Sequence, residues 1–197
     1  MHKKYLQFSE ECGRINAVVV LVRIVGVGVN MYQVGDKIIY GSSGVCIIDG
    51  IKMVEVNYGE PEQPYYVIKP VFSDCNISVP VSTKVFMRPI ITEEEALALI
   101  DSMPHVDAQP YYNNALRQLQ DYYEKKINTH SCEVLVELSV SLYRKREQLL
   151  AQKRKFGAID ERYMKRAEDL LFGELSVALS IPKNEVRKFI NARLGCP

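Results

Sequence analysis

The residues best suited to covalent or metal chemistry are too dispersed here to build a reactive centre. Five cysteines (Cys12, Cys46, Cys75, Cys132 and Cys196) are an odd, widely spaced set with no C-x-x-C, and the three histidines do not cluster. That spacing argues against a disulfide scaffold and against a zinc site, and it fits a reducing cytoplasm. The chain has no P-loop, no H-E-x-x-H, no G-x-S-x-G and no paired-carboxylate motif. Cys46 and Cys75 fall in or beside strand-like runs and read as packing residues. The expectation is therefore a non-enzymatic protein with no cofactor, no metal and no small-molecule substrate.

What remains is charge. Arg144-Lys145-Arg146 and Lys153-Arg154-Lys155 lie two and a half helical turns apart, so Lys145, Gln152 and Lys155 share a stripe that Arg162, Lys165 and Arg166 extend. Lys and Arg at such positions neutralise phosphates and give sequence-independent, salt-sensitive affinity. The alternative is a solvated face with favourable charge at a helix C-terminus. The net charge of +1 hides a polarity: residues 31–90 carry five Lys/Arg against six Asp/Glu, residues 91–110 five acids and no Lys/Arg, and residues 111–197 sixteen Lys/Arg against eleven acids. A neutral first part, an acidic connector and a basic second half imply two surfaces with different partners.

These residues need elements to hold them. β-branched and aromatic runs recur at 37–40, 45–48, 51–56, 65–71 and 77–81, separated by turn clusters at 41–44, 57–61 and 73–76. Five short strands over 31–91 predict a small SH3- or Tudor-like antiparallel barrel, closed so that no edge stays exposed. Pro64, Pro70 and Pro80 must then sit at strand ends or edges. Thr92-Glu93-Glu94-Glu95 is a capping box opening an amphipathic helix on Ala96, Leu97, Ile100 and Met103, and 104–110 reads as a hinge.

From Tyr111 the periodicity is helical. Leu116, Leu119, Tyr123 and Ile127 mark one helix. A second runs from about Ser131 to Phe156, with Val134, Leu135, Leu138, Leu142, Leu149 and Leu150 inward. Asp160 caps a third, and Pro182 opens a fourth. The fold class is α+β, an N-terminal five-stranded barrel and a C-terminal all-α bundle. No apolar run is long enough for a membrane span. The apolar run over 17–29 follows a charged segment and resembles no secretory signal.

Val34-Gly35-Asp36, Tyr40, Gly44, Ile48, Tyr65-Tyr66-Val67-Ile68-Lys69, Ile77-Ser78-Val79-Pro80-Val81 and Arg88, in that order, resemble the CarD family of bacterial transcription regulators. That barrel recurs as the polymerase-interacting domain of the transcription-repair coupling factor. The resemblance implies that Met31 is the natural start and residues 1–30 an extension; the alternative is an added strand on the barrel edge. It implies docking of 31–91 on the RNA polymerase β subunit by strand pairing and salt bridges, for which Lys52 and Arg88 are the candidate charges. Reversing Arg88 is expected to weaken docking and leave the fold intact. It implies that 111–197 meets promoter DNA at the edge of the melted bubble, where the family wedges a tryptophan into the minor groove. This chain has no tryptophan. The wedge position falls near Leu116, with Tyr111 and Tyr112 as aromatic substitutes; the alternative places Leu116 in the core and both tyrosines at the seam between the domains. Lys145, Lys153, Lys155 and Arg162 are the candidate phosphate contacts. The expected protein is a cytoplasmic monomer that shifts polymerase towards the open complex. Its rivals are a polymerase-binding adaptor without DNA contact and an RNA-binding module on ribosomes.

Overall fold

The computed structural model describes residues 32–195 apart from 57, 59 and 60, so the expectations about residues 1–30 and a start at Met31 lie outside the described residues. The first half is a five-stranded antiparallel sheet: β1 (Lys37–Tyr40), β2 (Val45–Val54), β3 (Gln63–Pro70), β4 (Ile77–Pro80) and β5 (Met87–Pro89), in the order β4-β3-β2-β1-β5. Five helices follow: α1 (Glu93–Ser102), α2 (Leu116–Ile127), α3 (Cys132–Ala151), α4 (Ala158–Ala178) and α5 (Val186–Leu194).

Two strand expectations are corrected. The runs at 45–48 and 51–56 form one strand, β2, whose register shifts between Ile48 and Gly50. A bulge adds one residue and reverses which face the next side chain occupies. Cys46 and Ile48 before it and Ile51 after it therefore all join the same core. The fifth strand is instead Met87–Pro89, too short to stand out as a run. The ladder is also not closed, because among the described residues no pairing joins β4 to β5.

The two edges are blunted by proline. Val81 N–H donates to Pro64 O, and in an antiparallel ladder alternate residues turn to the same neighbour. Val79 and Ile77 thus face β3, while Ser78 and Pro80 face outward. Pro80 has no N–H, and its carbonyl accepts from Thr83 N–H, which leaves Ser78 as the complete outward residue of β4. On β5, Gly41 N–H donates to Phe86 O and Ile90 N–H to Lys37 O, so Met87 and Pro89 face outward. There the Pro89 carbonyl is taken by Arg88, and Val85 N–H by Thr83 Oγ1.

The sheet core is Ile38, Cys46, Ile48, Tyr66, Ile68 and Val79. Ile39 and Val45, paired on the opposite face, are buried too. Gly44, at φ +72 between β1 and β2, brings the backbone close to Leu170 of α4; a Cβ there would sit 3.4 Å from its side chain. The second core joins all five helices through Ile100, Leu119, Tyr123, Ile127, Leu138, Leu142, Leu171, Leu175 and Val186.

The capping box is present in both directions: Glu95 N–H donates to Thr92 Oγ1 (3.2 Å) and Thr92 N–H to Glu95 Oε2 (2.8 Å). Leu99, absent from the expected apolar face, is buried with Ala96 and Ile100. α3 stops at Ala151, and Leu150 is exposed, contrary to expectation. Its end is a Schellman motif, with Lys153 N–H bonding Leu150 O and Arg154 N–H bonding Leu149 O. Lys153 takes the left-handed position (φ +56) usually given to glycine. α4 is capped by Gly157, not Asp160.

Candidate functional site

The two halves meet at a polar seam. Arg88, from β5, places its NH1 2.5 Å from Glu174 Oε1 and its NH2 2.8 Å from Oε2. Its Nε and NH2 also donate to the carbonyl of His130, at 2.9 and 2.7 Å. Glu174 is 2% exposed and further accepts from Ile91 N–H and Cys132 Sγ. Burial alone would lower the Arg88 pKa; the Glu174 carboxylate more than reverses that and holds it raised. Burial, then Glu174, pushes the Cys132 thiol up, and burial takes the Cys46 thiol to about 11, so neither is a thiolate nucleophile. His130 stacks on Phe86 (4.5 Å between centroids), and burial, then Arg88, lowers its pKa. Arg88 is thus engaged within the fold, which argues against a reversal that leaves the fold intact.

Lys52 is exposed and shares a cross-strand row with Tyr65 and Pro80. Its side chain therefore projects from the same face as these two residues.

Lys145 was expected on the outer basic stripe and is instead buried, with 4% exposure. Its Nζ lies 2.8 Å from Asp160 Oδ1 and 3.3 Å from Tyr123 OH, and Tyr123 OH donates to the same Asp160 oxygen at 2.6 Å. Burial, then Asp160, pushes the Tyr123 pKa up. Gln152 and Lys155, expected on the same stripe, are exposed and lie beyond the end of α3. A phosphate cannot reach an ammonium enclosed in this way.

The sequence pattern separates these three residues, giving Lys145 to a phosphate surface, Asp160 to a helix cap and Tyr123 to a helix stripe, and no local signal joins them into this triad. Tyr112 covers it: its ring lies 5.0 Å from Lys145 Nζ, and its OH bonds Gln148 Oε1 at 2.9 Å. Tyr112 is 48% and Leu116 63% exposed, so Leu116 is not core. Tyr111 is half-buried and stacks on Tyr122 at 4.0 Å. Lys153, Lys155 and Arg162 are exposed. No carboxylate lies within ion-pair distance of the three among the described residues.

The connector after α1 is held against α3. Arg144 donates to the carbonyls of Val106 and Ala108 and to Asp107 Oδ1, and Ser141 Oγ donates to Gln109 O. No group of metal-ligating side chains is assembled among the described residues, and no helix among them is long and apolar enough to cross a membrane.

Residues 32–91 match the family model of the CarD-like/TRCF RID domain. A protein of Bacillus subtilis (strain 168) named "Putative transcription factor YdeB" is 29% identical over 160 residues, which is 81% of this chain and 99% of that protein.

Proposed function

We propose that this chain, whose residues 32–91 match the CarD-like/TRCF RID domain, is a transcription regulator. It holds RNA polymerase through the sheet and promoter DNA through the far end of the helices. The observation that carries the first contact is the β4 edge of the RID domain. It lies at the opposite margin of the sheet from β5, and Ser78 turns its N–H and C=O outward. A partner strand of the polymerase β subunit adds there by main-chain hydrogen bonds, with Lys52 supplying charge selectivity.

The second contact uses Lys153, Lys155 and Arg162 as phosphate ligands, with Tyr112 and Leu116 as the apolar surface at the distorted step. Leucine, like tryptophan, is a groove wedge, and an apolar side chain at an unstacked step lowers the energy of distorted DNA relative to duplex. The protein performs no chemistry. It shifts the population of promoter complexes towards the open state, because it binds that state more tightly.

The test is the lifetime of a heparin-challenged open complex with purified polymerase. Added protein lengthens it, and Tyr112→Ala and Leu116→Ala shorten it again while leaving duplex affinity unchanged. A lifetime indifferent to the protein, with polymerase binding retained, would leave an adaptor that docks on polymerase without acting on DNA.

A further inference from the structure

A trough with apolar walls opens in the helical half. Its volume is about 540 Å³, and three helices each present one face to it. Val136, Val140 and Tyr143 form the α3 wall, Leu171 of α4 the floor, and Ile190 and Leu194 of α5 the second wall. Their spacing within each helix is three or four residues, so each wall is a straight stripe. On α3 the stripe continues to Glu147. Tyr143, in its middle, is 51% exposed. From Val136 to Glu147 the stripe is about 17 Å long at the α-helical rise, or about three turns of a docked helix.

The charges along the trough are unequal. Arg144 is neutralised by Asp107 and Arg187 by Glu168, each at 2.9 Å. Glu147 has no partner among the described residues, so the rim keeps one uncompensated negative charge. In the same wall lies Ser139, whose Oγ is the one buried side-chain polar atom without a hydrogen bond among the described residues. Such an atom marks an unfinished surface.

We propose that this trough binds an amphipathic helix of a partner protein, with an apolar stripe for the walls and a Lys or Arg beside the stripe for Glu147. Helix-in-groove recognition reads anchors at i, i+3 or i+4, and i+7, the periodicity that the walls present. The site is separate from the sheet edge and from the Tyr112 end, so it stands or falls independently of the polymerase and DNA contacts.

The experiment uses the full chain and two stapled helical peptides of three turns. Both carry leucines on one stripe; one has Lys at the flanking position and the other Glu. In fluorescence anisotropy the Lys peptide is expected to bind saturably and at least about tenfold more tightly than the Glu peptide. Glu147→Lys reverses that order, and Tyr143→Ala weakens the Lys peptide; both side chains are exposed, so circular dichroism should show an intact fold. Absence of saturable binding by either peptide overturns the proposal. So does equal binding of the two, or an order that Glu147→Lys leaves unchanged.

Discussion

Arg88 on β5 and Glu174 on α4, 86 residues apart in the chain, share two ion-pair contacts across the seam between sheet and helices. Breaking a buried pair by removing one partner leaves the other charge desolvated, which costs far more than the intact pair contributes. Arg88→Ala is therefore expected to cost about 3–5 kcal/mol, read as a lower urea midpoint. Glu174→Gln should cost less, since the amide oxygen still accepts. A midpoint unchanged in Arg88→Ala would show that the seam is incidental.

The Lys145–Asp160 pair makes a parallel prediction with a functional contrast. Lys145→Ala should also cost about 3–5 kcal/mol, without altering the dependence of DNA affinity on salt. Lys155→Ala should be near-neutral for stability, yet reduce the log–log salt slope by roughly 0.9. An unfolding titration and a salt titration on the two variants separate the roles. A reduced slope in a folded Lys145→Ala protein would place Lys145 back among the phosphate contacts.

Lys153 opposes the two demands at one position. A non-glycine residue in the left-handed region costs about 1–2 kcal/mol, offset in part by its favourable charge at the α3 C-terminus. Lys153→Gly is expected to raise stability by up to about 1 kcal/mol while weakening DNA binding. Loss of stability would contradict the Schellman geometry.

His130 gives a pH dependence. Its pKa is lowered in the folded state by burial and by Arg88, so the unfolded chain takes up the proton first. The stabilisation is complete above the unfolded value, about 6.5, and is lost as pH falls below it. The urea midpoint should drop between about pH 7.5 and about pH 5.5, above the carboxylate range. His130→Asn, which tolerates the left-handed backbone at this position, should flatten that drop.

Local signals carried much of this architecture. The capping box and the proline positions depend on neighbours within a turn, and they stand where the residue pattern puts them. The runs at 45–48 and 51–56 read apart because the residues between them, Asp49-Gly50, interrupt the pattern, and a bulge inside one strand leaves the same gap as a turn between two. Partners 86 residues apart were out of reach, since nothing local tells Arg88 that Glu174 will meet it. The stripe argument placed Lys145 outward because helical spacing fixes which residues share a face, not which face the core occupies. Tyr112 and Leu116 came from the resemblance to CarD, and their exposure is what leaves them available.

The central claim is that the sheet docks by its β4 edge. Ser78→Pro removes the outward N–H of that edge while leaving intact the bonds that Ile77 and Val79 make to β3. The decisive measurement is the affinity of Ser78→Pro for purified RNA polymerase by biolayer interferometry, with thermal melting as the fold control. An unchanged melting temperature with at least tenfold weaker binding, about 1.4 kcal/mol, is the predicted result. Wild-type affinity in a folded Ser78→Pro protein would contradict it.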